Sequence, residues 1–172
     1  MKNTILLIVL FLLPLNAYAF VNEPDGFRDI KWGTFANTIE DIELKSGMIY
    51  FVNGISTYKI RSEPLVIGDA KVNAIEYTFL DNKFGLGTVE INGIHCTFFK
   101  DLFIASFGSP SRIEPDPVRI VYSWDGSKSE ILLSCDSYGG IFFIQSSEYK
   151  KELQIKVSES RKRKLKKALD DL

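Results

Sequence analysis

One histidine, His95, and two cysteines, Cys96 and Cys135, are all the imidazole and thiol groups in the 172-residue chain. A zinc centre draws most of its ligands from those residue types, so the chain is too poor in them to build one. There is no CxxC pair for thioredoxin-like redox chemistry, no D-x-D-x-D-G run for a calcium loop, and no Gly-rich phosphate loop or G-x-S-x-G elbow. No cofactor and no metal is expected. His95 and Cys96 are neighbours, and adjacent residues of a helix point about 100° apart, which disfavours a Cys-His nucleophile pair. His95 reads as a capping or packing histidine. Beyond residue 19 the sequence also lacks any run of about 18 apolar residues, the length a membrane-spanning helix needs.

What the chain does have is core material: 45% hydrophobic and 13% aromatic residues, far from the composition of disorder. Residues 1–19, MKNTILLIVLFLLPLNAYA, combine one lysine, an apolar run from Ile5 to Leu13, a breaker at Pro14 and the ending Ala17-Tyr18-Ala19. A charged start, a short apolar centre and a small-x-small end describe a secretory signal peptide. The expected cut follows Ala19. Phe20 stands where a lipoprotein would carry cysteine, so the product is expected to be unlipidated, and periplasmic or secreted. The remaining 153 residues suffice for one α+β domain over 20–147, with a basic helix or tail over 148–172. In an oxidising compartment Cys96 and Cys135 read as a disulfide contributing about 4 kcal/mol in the chain-entropy model. Two buried free thiols are the alternative.

Along the chain, Thr34 is placed to cap a short helix with Phe35, Ile39 and Ile42 on one face, ending near Gly47. Two β-rich runs joined by Asn53-Gly54 predict a hairpin over 48–60, because this dipeptide accepts the positive φ angles of a type I′ turn. After breaks at Glu63-Pro64 and Gly68-Asp69, Ile75, Tyr77 and Phe79 alternate with Glu76 and Thr78, a half-buried strand over 72–80. Asp81-Asn82-Lys83 turns it into a partner over 84–91, where Gly85 and Gly87 signal a bulge or a close backbone approach. Phe98, Phe99, Leu102, Phe103 and Phe107 follow a helical period over 94–107, closed by Gly108 and Pro110. Ser111 to Pro117 reads as a stiff loop, and three strands follow over 118–124, 130–135 and 141–144. The fold class is α+β: an antiparallel sheet built from hairpins, covered by a Phe-rich helix, with a basic C-terminal helix.

The stretch GFRDIKWGT, residues 26–34, places Arg28, Ile30 and Trp32 on one face of an extended segment. Ile30 and Trp32 are expected to pin the start of the domain into the core, and Gly33 is expected because a side chain would obstruct the turn. Nothing near Trp32 supplies the convergent polar groups of a ligand site, so the motif reads as a structural lock. Together with Phe107-Gly108-Ser109-Pro110, this G-F-R-x-I-x-W-G-T start resembles a group of small exported bacterial proteins of unknown function. That resemblance implies an envelope or secreted setting and brings no activity with it. A fainter likeness is to the helix-and-sheet modules of outer-membrane assembly lipoproteins and β-lactamase-inhibitor-like proteins, which act by binding other proteins; the lipidated cysteine of the former is lacking here.

Charge is distributed unevenly. Residues 20–147 hold eleven basic and seventeen acidic side chains, net −6, whereas residues 148–172 hold nine basic and five acidic, net +4. Arg161, Lys162, Arg163, Lys164, Lys166 and Lys167 are the candidate binding residues, on a stretch where Leu153, Val157, Leu165, Ala168, Leu169 and Leu172 suggest an amphipathic helix. A solvated tail, docking on the chain's own acidic body, contact with anionic lipid and contact with an acidic partner all fit this block. Nucleic acid does not fit an exported chain. The function expected is a non-catalytic binding or interaction module of the bacterial envelope, engaging an envelope protein or the membrane surface. The alternative is a small envelope hydrolase using Glu76, Asp81 and Glu90. N-terminal sequencing of the exported chain should begin at Phe20; an intact Met1 or a different first residue would remove the assigned cleavage site.

Overall fold

The computed structural model describes residues 20–45 and 54–170. The signal segment, Gly47, the first run of the 48–60 hairpin through Asn53, and Leu172 lie outside the described residues. Within them the chain runs β1 (Gly26–Phe27), β2 (Ile30–Lys31), β3 (Ile42–Leu44), β4 (Ile55–Ile60), β5 (Val66–Ile67), β6 (Ala70–Leu80), β7 (Lys83–Asn92), α1 (Cys96–Phe107), β8 (Arg112–Pro115), β9 (Arg119–Asp125), β10 (Ser129–Asp136), β11 (Gly139–Ser146) and α2 (Ser147–Asp170). β1 and β2 form a small hairpin of their own. The main sheet has the order β3-β4-β6-β7-β11-β10-β9-β8, with β5 paired to β6.

Two antiparallel meanders make up this sheet, and they join where β7 pairs with β11. The join sets the job of α1. β7 and β8 are consecutive strands but stand four inter-strand steps apart, about 19 Å at about 4.8 Å per step. The 12 residues of α1 supply about 18 Å of that path. The connection therefore crosses one face of the sheet, and its apolar residues must be spaced to meet that face. Phe99 and Phe103 do so and are almost fully buried. Their rings lie 5.3 Å and 5.0 Å from Phe142 of β11, and Phe103 meets Trp124 of β9 edge-on at 5.7 Å. The Trp124 indole donates to the Gly108 carbonyl at the end of α1, at 2.8 Å, so the one polar atom of this buried ring is satisfied.

The hairpin expected at Asp81-Asn82 is present as a two-residue turn with positive φ at both positions, 48° and 67°, the type I′ geometry whose twist suits antiparallel strands. Gly85 and Gly87 do mark close approaches. A β-carbon on Gly87 would stand 2.3 Å from the Phe27 ring, and one on Gly85 would stand 2.3 Å from the Tyr149 ring. The missing side chains are the hollows into which the first hairpin and the start of α2 are seated.

Several expectations give way. GFRDIKWGT is not extended: the chain reverses at Arg28, φ 54°, so Phe27 and Ile30 point into the core. Trp32 is half-buried, stacked on Phe84 at 5.2 Å. Gly33 is required by its φ of 79°, not by space, since a β-carbon there would meet nothing within 4 Å. The helix after Thr34 is a single 3-10 turn over Ala36–Thr38, and Ile42 belongs to a strand instead. β3 and β4 pair through Ile42↔Ile60 and Leu44↔Tyr58, so the partner of the 55–60 strand among the described residues lies before the 48–60 pattern. The 111–117 loop contains β8, a four-residue edge strand exposed at every residue and ending in Pro115, which limits further pairing. Glu76 and Thr78 are buried rather than solvated.

The seating of Phe27 is testable. Gly87→Ala should lower stability by about 1–3 kcal/mol through overpacking, and Phe27→Ala by about 3–5 kcal/mol through cavity formation. In denaturant titrations the double variant should lose less than the sum of the two, because removing the ring vacates the space that the added methyl needs. Strict additivity would refute the contact.

Candidate functional site

The six candidate binding residues, Arg161, Lys162, Arg163, Lys164, Lys166 and Lys167, all lie on α2, and every residue from 161 to 170 is exposed. The helix begins where Ser146 Oγ accepts a hydrogen bond from Tyr149 N at 2.9 Å, a side-chain N-cap. Tyr149 is buried, Lys150 pairs with Glu130 at 2.6 Å, and Lys156 pairs with Asp81 at 2.7 Å. Glu152, Leu153, Lys156 and Ser160 continue the partly buried side. The first half of α2 is thus fastened to the sheet.

Beyond Ser160 the helix continues without lying on the body. Nine residues, about two and a half turns, separate Lys156 from Leu165, so Leu165 points away from the docked side. Leu169 follows one turn later. They are 57% and 69% exposed. The apolar stripe foreseen on this helix is therefore divided: Leu153 turns toward the body, whereas Leu165 and Leu169 face outward. Residues 161–170, which carry the basic block, are exposed along their whole length. Arg163 makes only a long pair with Glu159, at 4.0 Å.

A second feature sits at the opposite pole, around the disulfide. Cys96 and Cys135 are bonded, with Cα atoms 6.0 Å apart. They tie the first turn of α1 to β10 and leave no thiol for a Cys-His pair. His95 precedes the helix without a side-chain capping bond, and Asn92 caps the turn before it. A cleft of about 410 Å³ opens beside the disulfide, lined by Lys100, Asp116, Arg119, Tyr122 and Asp136 among others. Its carboxylates serve turns. Asp116 accepts from Val118 N at 2.9 Å, and Asp136 from Tyr138 N and Gly139 N at 2.7 and 2.8 Å. Those backbone donors hold the Asp136 carboxyl below its ordinary range. Among the described residues, no group of three or more His, Cys, Asp or Glu could hold a metal ion.

Of the carboxylates proposed for hydrolysis, Glu76 and Glu90 are diagonal neighbours across β6 and β7, and Asp81 is remote from both. Glu76 is buried and ion-paired with Lys45. Asp81 is at the hairpin tip, about 16 Å of strand away, engaged by Lys156. Glu90 is exposed on β7 opposite Ala74 and Ile141.

At the chain start Ile30 is buried and Trp32 stacks on Phe84, and two other residues fasten the same segment. Phe27 fills the hollow at Gly87, and Glu23 binds the β9–β10 turn. Its carboxylate accepts from Lys128 N, from Ser129 N at 2.5 Å and from Ser127 Oγ at 3.0 Å. Phe20 packs edge-on against Phe107 at 5.6 Å. Arg28 pairs with Glu63 at 3.0 Å, and the buried Tyr77 hydroxyl donates to the same carboxylate oxygen. Burial, then that carboxylate, push the Tyr77 hydroxyl far above the usual phenol range, so it acts as a neutral donor. These contacts are all structural, and Glu23 has no local sequence signal because its partners lie more than a hundred residues away.

Comparison with known protein families, with curated proteins and with solved structures finds no match. Geometry alone carries the functional reading.

Burial raises the Glu23 pKa, but hydrogen bonds from Ser129, Lys128 and Ser127 outweigh it and hold the carboxyl below its ordinary 4.5. A lowered native pKa stabilises above the unfolded value, and that stability fades as pH falls through the native one. Glu23→Gln should therefore be less stable than the parent at pH 7, and thermal melts of the two should converge in acid. A gap that persists unchanged into acid would contradict the assigned hydrogen bonds.

Proposed function

We propose that the chain is an exported, non-catalytic binding module of the bacterial envelope, in which the folded body holds α2 outward as the contact element. One observation carries this reading: the anchoring contacts of α2 lie in its first half, and its second half presents a run of basic residues beside two leucines, Leu165 and Leu169, that are 57% and 69% exposed. Exposed leucines set among basic residues on one helix fit recognition of something outside the chain.

Further support is indirect. A disulfide suits an oxidising compartment. No helix among the described residues is long and apolar enough to cross a membrane. The signal segment, a cut after Ala19, and a periplasmic or secreted location are parts of the proposal that rest on the sequence. Nothing in the geometry favours the hydrolase alternative: Asp81 stands about 16 Å of strand from Glu76, and Glu76 and Asp81 are engaged by Lys45 and Lys156.

The test is crosslinking in the envelope of the producing cell, with identification of what is captured. The parent should show saturable association with one envelope component. Leu165→Glu with Leu169→Glu should reduce it at least about tenfold, since two leucines that association would bury are replaced by charge. Glu76→Gln and Glu90→Gln should leave it unchanged. Exported, folded protein with no saturable association would overturn the reading.

A further inference from the structure

The occupant of the outward half of α2 can be named from charge and shape. We infer that this segment docks on the surface of an anionic lipid bilayer, with Leu165 and Leu169 entering the headgroup region and the surrounding cations meeting phosphate. The inference rests on the binding-module reading and specifies its partner.

Three features point to lipid. The first is the ring of charge. Between Arg161 and Leu169 there are six cations and no acid. At about 100° per residue they stand on all sides of the helix, with Arg161, Lys162 and Lys166 nearest the two leucines. A helix bound in a protein groove concentrates recognition on one face, whereas cations all round it suit a diffuse layer of negative charge. Long flexible stems also let Lys162 and Lys166 keep their ammonium groups at the phosphates while the leucines go deeper.

The second feature is orientation. Residues 20–147 are net −6 and residues 148–172 are net +4. The cationic end of α2 projects from an anionic body, so a negative surface attracts the helix and repels the rest. That field turns the molecule helix-first. The third feature weighs against a second copy of the chain. Two such helices lying together would bring twelve cations into contact, and like charges at helical spacing oppose association. The body stays clear of the surface in this arrangement, which leaves the disulfide pole facing away.

Binding of the full chain, purified after cellular processing and with its mass verified, should be measured by co-sedimentation with vesicles of phosphatidylglycerol and phosphatidylcholine, and with phosphatidylcholine alone. We expect partition into the anionic vesicles only, weakening as salt rises. Lys162→Glu with Lys166→Glu should lower the partition coefficient at least about tenfold. Leu165→Glu with Leu169→Glu should do so to a similar degree. Ile113→Glu, an equally apolar-to-acidic change at an exposed edge, should leave it unaltered; circular dichroism and melting confirm that all variants fold. Absence of anionic-vesicle binding by the folded parent, or binding indifferent to both pairs, overturns the inference. If vesicle binding fails while the leucine pair abolishes envelope crosslinking to a protein, the lipid assignment falls and the binding module stands. If sedimentation shows a dimer that the leucine pair dissolves, the occupant is a second copy and the lipid assignment again falls.

Discussion

The first hairpin, α1 and the sheet meet at the ring of Phe142. Phe27 of the first hairpin reaches it at 6.4 Å, and Phe99 and Phe103 of α1 at 5.3 and 5.0 Å. The position is available only because β11 returns to the middle of the sheet and pairs with β7. Were β11 an edge strand, the helix crossing from β7 to β8 would pass over nothing central, and the first hairpin would have no floor. Aromatic rings suit such a junction, since tilted and edge-on contacts from several directions can be met by one large rigid side chain.

The same arrangement explains why the beginning and end of the domain lie where they do. Phe27 and Tyr149 use neighbouring hollows, at Gly87 and Gly85, on one strand. Glu23 adds a carboxylate to the β9–β10 turn, so the first residues after the expected cleavage point are bound to the far meander. At the other end, Ser146, Tyr149 and Lys156 fasten α2 to the same end of the sheet. Beyond these anchors the helix continues with residues 161–170 exposed.

Polar groups are used economically inside the fold. Glu63 accepts from Tyr77 and pairs with Arg28, Glu76 pairs with Lys45, and Thr57 and Thr78 bond to each other at 2.9 Å. Satisfying these groups is what makes it tolerable to bury both faces of β6, where simple alternation implied one wet face. The acidic residues that look available for catalysis are largely spent in this way.

Much of the architecture was legible in local pattern. The strand over 72–80, the Asp81-Asn82 turn, the phenylalanine-spaced helix within 94–107 and the three later strands each depend on neighbours within a few residues, and each is present. The helix expected after Thr34 was not, because Phe35, Ile39 and Ile42 satisfy a helical period by chance while Ile42 is claimed by pairing with Ile60. The edge strand at 112–115 was hidden for a related reason: its prolines read as a loop, and only an available partner in β9 makes it a strand. The basic block was visible as composition. That Leu165 and Leu169 face away from the body was not, because the direction of a helix face is set by what docks the helix, here Tyr149 and Lys156. The sequence by itself determined local turns, periods, charge and the cysteine pair. Only the tertiary structure decided which strands are neighbours and which side of α2 is left open, because both depend on contacts between residues far apart in the chain.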